Sequence, residues 1–191
     1  EEAIKGAQDI LAERYADIPR EREAIHSNMN RHGILEVKKA KNFDENGVFK
    51  NFINHNEKVA YIPSHRYLAI MRGVKEKELS VKITVDMEQI EANIKANKIP
   101  RNASSSSSLL LDAYKDGLKR LLLPSIERTV QGELKERADI AAITVFGKNL
   151  NQLLMTPPVS KKVLLGVDPA FRTGCKLAVI DENGNYLESA V

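Results

Sequence analysis

LLLDAYKDGLKRLLLPSIERTVQGELKERADIAAITVFGKNLNQLLM, residues 109–155, sustains a single helical period across most of its length. Leu110, Tyr114, Leu118, Leu121 and Leu122 lead into Ile126, Val130 and Leu134, and then into Ile140, Ile143, Phe146, Leu150 and Leu153. Apolar residues three and four apart share one side of an α-helix, so packed helices should dominate the fold. Pro124 has no backbone donor and its ring crowds the preceding turn, which predicts a kink or break around Leu121–Ser125. Gly132 and Gly147 are weaker interruptions. The expectation is two or three helices packed as a bundle, not one rod.

The stretch before this one mixes helix with strand. Ile4, Ala7, Ile10 and Leu11 recur at helical spacing over residues 2–15. Residues 19–32 form a second predicted helix, with Asp17 as its cap, Pro19 in its first turn and Gly33 as its stop. ILEVKKAKNF (34–43) and GVFKNFINH (47–55) flank Asp44-Glu45-Asn46-Gly47, and Asn-Gly tolerates the positive φ of a tight hairpin. A helix capped by Ser64 follows over 62–74, with Leu68, Met71 and Val74 on its apolar face. ELSVKITV (78–85) alternates, placing Leu79, Val81, Ile83 and Val85 on one side of a strand that can join the hairpin. A further helix covers 87–97. KIPRNASSSSS (98–108) reads as a flexible connector whose last serine caps the next helix, with phosphate or RNA contact as the sharper alternative. Its Asn102-Ala103-Ser104 matches a glycosylation sequon only by chance.

The totals set bounds. The chain has 191 residues, 42% of them hydrophobic and 29% charged, with a formal net charge of +3. These values suit one or two globular domains and permit a nucleic-acid partner without requiring one. The one cysteine, Cys175, has no internal partner for a disulfide, which suits a reducing compartment, the cytoplasm. No long apolar run suggests a membrane span. The chain opens directly into a helical pattern without an initiator methionine, as a piece of a longer protein would. His26, His32, His55 and His65 lack metal-ligand spacing and read as surface or capping residues.

Thr156-Pro157-Pro158 stops the helices and acts as a stiff spacer. A new unit then begins: VLLGVD reads as a strand buried on both faces, CKLAVID as a second strand, and YLESAV as the start of a third. Asp168 ends the first of these strands and admits three readings. It could be the first carboxylate of a metal-dependent RNase H-like nuclease, which needs at least two more carboxylates. Asp181 and Glu188 are the nearby candidates beside Glu182, and Asp181 falls at the far end of the hairpin. Asp168 could open a phosphate-binding hairpin, as in actin-like ATPases, although Pro169, Phe171 and Arg172 replace the usual small residues. It could also be structural, held by the turn or by Arg172. For nucleic acid, Lys38, Lys39 and Lys41, with Lys50 and the nearby Phe43, Phe49 and Phe52, offer charge and stacking. Arg172 and Lys176 offer a second basic point. Asp44 and Glu45 dilute the first cluster.

Three stretches, in order, carry a resemblance. IPSHRYLAIMRGVKEKELSVKI (62–83), the helical stretch 109–158 and GVDPAFRTGCKLAVID (166–181) resemble the central region and the opening of the YqgF-type, RNase H-like domain of the Tex family of transcription accessory proteins. Ala170 departs from the more common glycine there. The resemblance implies an α+β, mostly helical fold: a helical region over 1–158 with a small antiparallel sheet within 35–85, then the first strands of an RNase H-like domain over 161–191. It implies a longer protein with helix-hairpin-helix elements and an OB-type RNA-binding domain. That protein would bind RNA or DNA in transcription, and its helices could form a platform for RNA polymerase. This segment would then be a non-enzymatic scaffold without a cofactor. Mg²⁺, and Asp168 as a catalytic carboxylate, would matter only in a complete, active YqgF domain.

Overall fold

A computed structural model of the chain describes residues 2–99, 105–157, 159, 161–172 and 174–191. The fold is α+β and mostly helical. Its spine is the stretch with the longest helical period. Helix α5 (Ser105–Asp116) runs into a π-helical segment (Gly117–Leu122) and on into α6 (Leu123–Leu154). The expected break at Pro124 does not occur. The Leu123 amide donates to the Leu118 carbonyl, five residues back. This wider winding ends two residues before Pro124, whose ring would otherwise press on the Arg120 carbonyl while offering it no donor. Gly132 and Gly147 leave α6 unbroken, so the bundle expected from 109–155 is instead one long helical path.

Helices α1 (Glu2–Ala16) and α2 (Pro19–His32) fall where their apolar spacing put them. Asp17 does not cap α2. The cap position is Ile18, which makes no side-chain bond, so Pro19, which has no N–H to satisfy, opens the helix unaided. Gly33 ends α2 with its N–H on the Met29 carbonyl at a φ of −59°, not in the left-handed region.

The predicted hairpin is redrawn. Strand β1 (Ile34–Lys39) pairs antiparallel with a short β2 (Asn56–Lys58) and, over its whole length, with β3 (Leu79–Thr84). The sheet order is β2-β1-β3. Asn46-Gly47 does form a turn, but Asp44 organises it: its Oδ1 accepts the Asn46 amide at 2.9 Å and its carbonyl accepts the Gly47 amide at 3.1 Å. Neither Asn46 nor Gly47 takes positive φ. The turn therefore lacks the twist that aligns two strands, and the chain enters a short 3₁₀ turn at Lys50–Phe52.

Helix α3 (Ser64–Lys75) begins after Pro63 with no side-chain cap from Ser64. Its buried face is Tyr67, Ile70 and Gly73, one step round from the expected Leu68, Met71 and Val74, which are partly buried. Helix α4 (Met87–Lys98) is capped by Asp86, whose carboxylate accepts the Gln89 amide at 3.0 Å. Ser105–Ser108 belong to α5, so the later part of the serine run is helical and does not supply the expected cap. Pro100–Ser104, including the sequon, lie outside the described residues.

One core joins these elements. Leu118, Leu122, Ile126, Val130, Leu134 and Ala138 of the spine pack with Tyr15, Met29, Leu35, Val37, Tyr67, Ile70, Ile83 and Ile90. The buried stripe of α6 ends at Ala138. Ile140, Ile143 and Phe146, expected to continue it, are 60%, 69% and 65% exposed.

The chain divides into two compact units, Glu1–Val145 and Phe146–Val191, and the division falls within α6. The second unit holds an antiparallel sheet of β4 (Leu164–Asp168), β5 (Lys176–Ile180) and β6 (Tyr186–Ala190), in that order. Strand β4 is not buried on both faces as its apolar run suggested, since Leu165 and Val167 are both more than half exposed. Pro158 lies outside the described residues.

Candidate functional site

Asp168 is the last residue of β4 and stands directly across from Lys176 at the start of β5. Directly opposed residues of an antiparallel pair share a face, so Asp168, Lys176, Ala178 and Ile180 lie on one side of the sheet. Asp168, Arg172 and Lys176 are all exposed. No hydrogen bond or ion pair of Asp168 occurs among the described residues, so the pairing with Arg172 is not formed there. Thr173, in the same turn, lies outside the described residues.

The register decides which carboxylates can meet Asp168. Asp181 follows Ile180, which pairs with Leu164 at the opposite end of β4. Four residue steps separate that end from Asp168, about 13 Å of strand. Asp181 is also fully engaged. Its Oδ1 accepts the Asn183 and Asn185 amides, each at 2.8 Å, and its Oδ2 accepts the Asn185 side-chain amide at 2.9 Å. The Asn185 side chain first, then the backbone amides, hold its carboxyl below the usual range. Glu188 pairs with Val179, which places it on the sheet face opposite Asp168. Glu182 sits in the turn beside Asp181. Asp168 thus has a lysine across from it and, among the described residues of the sheet, no second carboxylate on its own face. These residues do not fit a divalent metal, and no group of three or more metal-ligating side chains forms among the described residues.

The other basic cluster lies on β1 and the residues after it. Lys38 pairs with Glu36 at 3.4 Å. Lys39 pairs with Glu45 at 3.0 Å and also lies 5.2 Å from the centre of the Phe43 ring. Lys41 is exposed and enters no ion pair among the described residues. Phe49 is buried in the core with Phe43 and Phe52 packed against it, so these rings are not a stacking surface for bases. Of the two acidic residues expected to dilute the cluster, Glu45 pairs with Lys39 while Asp44 holds the turn; Lys38 is met by Glu36 instead.

Two of the four histidines tie elements together, while His32 and His65 are exposed. His26 Nε2 meets Glu133 at 2.8 Å, joining α2 to α6. His55 and Arg66 both reach Glu57, at 2.9 and 2.6 Å. Burial raises the Glu57 pKa, but these two hydrogen bonds outweigh it and leave the carboxyl below its usual value.

Two polar placements have no signal in the sequence pattern. Glu127 of α6 accepts the Ile83 backbone amide at 2.7 Å, satisfying a donor on the outer edge of β3. Arg137 reaches the Val59 and Ile62 carbonyls at 3.4 and 3.5 Å. Both are isolated charges on a long amphipathic helix, where most charges face water, and only the fold selects them.

The family model described as Tex central region-like matches residues 1–146, and that described as Tex protein YqgF-like domain matches residues 162–191. The chain is 41% identical over 190 residues to the protein YdcI of Bacillus subtilis, covering 98% of this chain and 26% of that protein. It is 31% identical over 199 residues to the transcriptional accessory protein Tex of Neisseria gonorrhoeae, covering 99% of this chain and 26% of that protein. A protein of Pongo abelii named S1 RNA-binding domain-containing protein 1 is 31% identical over 199 residues, covering 97% of this chain and 20% of that protein. The chain therefore spans about a quarter or less of the length of these relatives.

Proposed function

The chain belongs to the Tex family, and on that premise we infer that it is the scaffold segment of a longer, nucleic-acid-binding transcription accessory protein. In this reading residues 1–158 are the helical scaffold region and residues 161–191 open the YqgF-type domain. The observation that carries this reading is the α5–π–α6 spine, which packs on one core with α1, α2, α3, α4 and the first sheet. Such a body fixes where other modules sit. Its lysine cluster is largely compensated by Glu36 and Glu45, so it offers little uncompensated charge to phosphates. The name of the Pongo abelii relative, with its S1 RNA-binding domain, supports RNA as a ligand of the whole protein through a module outside this segment.

The test is a fluorescence-anisotropy titration of single-stranded RNA at several salt concentrations. Residues 1–191 should bind weakly and lose binding steeply as salt rises. The longer parent protein should bind far more tightly. Nanomolar, salt-resistant binding by residues 1–191 would move the interface into this segment. The same samples with Mg²⁺ or Mn²⁺ should leave RNA and DNA junctions intact; cleavage lost in Asp168→Asn would replace the scaffold reading with a nuclease.

A further inference from the structure

Helices α2 and α4 run antiparallel, and a cavity of about 570 Å³ lies between them. Lys98 at the end of α4 pairs with Glu21 at the start of α2 at 2.6 Å. At the other end, Met29 and Met87 line a common cavity. The apolar part of the α2–α4 lining is Ile25, Ile90 and Ile94, all buried. Every lining residue belongs to the first unit, so the walls need no other module. The volume is that of an ordinary ligand site.

Tyr15 gives this cavity a specific chemistry. Tyr15 and Tyr67 are each only 1% exposed. The Tyr67 hydroxyl donates to the Gln131 carbonyl at 2.9 Å. The Tyr15 hydroxyl has no hydrogen-bond partner among the described residues, although a buried phenol ordinarily finds one. No fully buried side-chain oxygen or nitrogen is left unpartnered among the described residues, so the Tyr15 oxygen reaches the cavity that its side chain lines. Burial, followed by the Glu21 carboxylate, pushes its pKa up to about 12, so at neutral pH it stays a donor.

The walls add amides. Asn93 and Asn97 on α4 and Asn28 on α2 line the cavity, and their side chains have no hydrogen-bond partner among the described residues. Each offers donor and acceptor together, the complement of a backbone N–H and C=O. Asn93 and Asn97 are one turn apart, about 6 Å along the axis. Alternate residues of an extended chain turn their N–H and C=O to one side every 6.6–6.8 Å or about that. From Arg20 to Asn28 the groove runs about 12 Å, the length of three or four extended residues. Nucleic acid fits less well. A phosphate accepts but does not donate, and Arg20 is the one lining cation without an ion pair among the described residues. Tyr15, the ring in the lining, is buried and offers no face for a base to stack on.

We propose that the α2–α4 groove binds an extended segment of a partner protein through its backbone. Asn93 and Asn97 each hold the N–H and C=O of one of two alternate residues, and Tyr15 donates to a further carbonyl. Aliphatic side chains settle on Ile25, Ile90 and Ile94. Main-chain bonds supply affinity, and the isoleucines supply the choice of side chain.

The test is an NMR titration of isotope-labelled residues 1–191 with a capped tetrapeptide of alternating threonine and valine. The Asn93 and Asn97 side-chain amides should shift together. Tyr15→Phe should weaken binding about fivefold, the worth of one hydrogen bond, at unchanged thermal stability, because the lost hydroxyl has no partner in the free protein. A purely structural tyrosine would do the reverse. Asn97→Ala should weaken binding by a similar factor. N-methylation of the peptide should abolish binding at alternate residues and leave the others alone. Absence of shifts at millimolar peptide, equal binding by Tyr15→Phe and Asn97→Ala, or indifference to N-methylation overturns the proposal. So does a shift of the same amides by a uridine tetranucleotide at lower concentration, which would make nucleic acid the occupant. Failure of the longer parent protein to bind the peptide also overturns it, because the parent's own chain would then fill the groove.

Discussion

Gly117 and Gly132 lie on the same helical path but answer differently to an added methyl group. A Cβ on Gly117 would stand 2.5 Å from the Ala12 carbonyl oxygen and 3.0 Å from the Ala12 Cα. Those are backbone atoms of α1, which cannot swing aside, so Gly117→Ala should cost about 1–3 kcal/mol. Nothing lies within 4 Å of a Cβ on Gly132. Gly132→Ala should stabilise the chain by about 0.5–1 kcal/mol through helix propensity and a less flexible unfolded state. Urea denaturation of both variants checks the pair, and a neutral Gly117→Ala would mean that α1 does not sit down on the π segment. Two buried tyrosines set the alkaline limit. Burial, followed by the carboxylate of Glu21, pushes Tyr15 up to about 12, and burial, followed by Asp139, does the same for Tyr67. A folded pKa above the ordinary 10.0 gives a contribution complete below pH 10 and lost as the pH rises through 12. Stability should therefore fall across that window. Tyr67→Phe, which gives up the 2.9 Å hydrogen bond to the Gln131 carbonyl, should start lower but fall less steeply. Denaturation midpoints taken from pH 9 to 12 would show equal slopes if Tyr67 ionised freely in the folded state.

Helix α6 carries one apolar period but has two environments. Leu134 is 4% exposed and Ile143 is 69% exposed. Leu134→Ala should cost about 2–5 kcal/mol by emptying core volume, whereas Ile143→Lys should stay within about 0.5 kcal/mol of the parent chain. Thermal melts of the two variants separate them, and a large loss in Ile143→Lys would show that this part of the stripe is buried in solution. The contrast also marks what the sequence could reveal. Periodicity located α1, α2, α3, α4, β3 and the spine, because the 3.6 and 2.0 repeats follow directly from which side faces the core. It could not report where the core stops, since Ile143 and Val130 look alike without their neighbours. It misplaced β2, because Asn46-Gly47 permits a hairpin but Asp44 could claim the same amides for another turn. At the candidate site, the distance between Asp181 and Asp168 was legible from strand length. The opposite facing of Glu188 was not, because an irregularity in the β5–β6 register falls between Val179 and Ile180. Glu127 was illegible for a similar reason: its partner is a backbone amide on an edge strand, and no side-chain pattern announces that.

At the scale of the whole chain, the two units differ in what holds them. Every fully buried apolar side chain among the described residues, from Ala12 to Ala138, belongs to the first unit. The second unit has a three-stranded sheet in which Leu165 and Val167, both more than half exposed, share a face with the partly buried Leu177 and Val179. In the scaffold reading, the rest of a YqgF-type domain would cover that face. Three strands without a fully buried side chain are marginal in water, because hydrogen bonds along the ladder only replace those to solvent. Residues 1–145 produced alone should then unfold in one cooperative step, with a midpoint within about 2–4 °C of the full chain, which corresponds to a difference of about 1 kcal/mol. Residues 146–191 produced alone should give far-UV spectra of a largely unfolded peptide and amide exchange near the unprotected rate. If removal of residues 146–191 lowered the midpoint by tens of degrees, the first unit would not carry the core by itself. If the shorter piece folded alone, the sheet would not need the cover that the scaffold reading assigns to the remainder of the parent protein. Calorimetry of the three chains, with exchange measured at Val167 and Val179, distinguishes these outcomes.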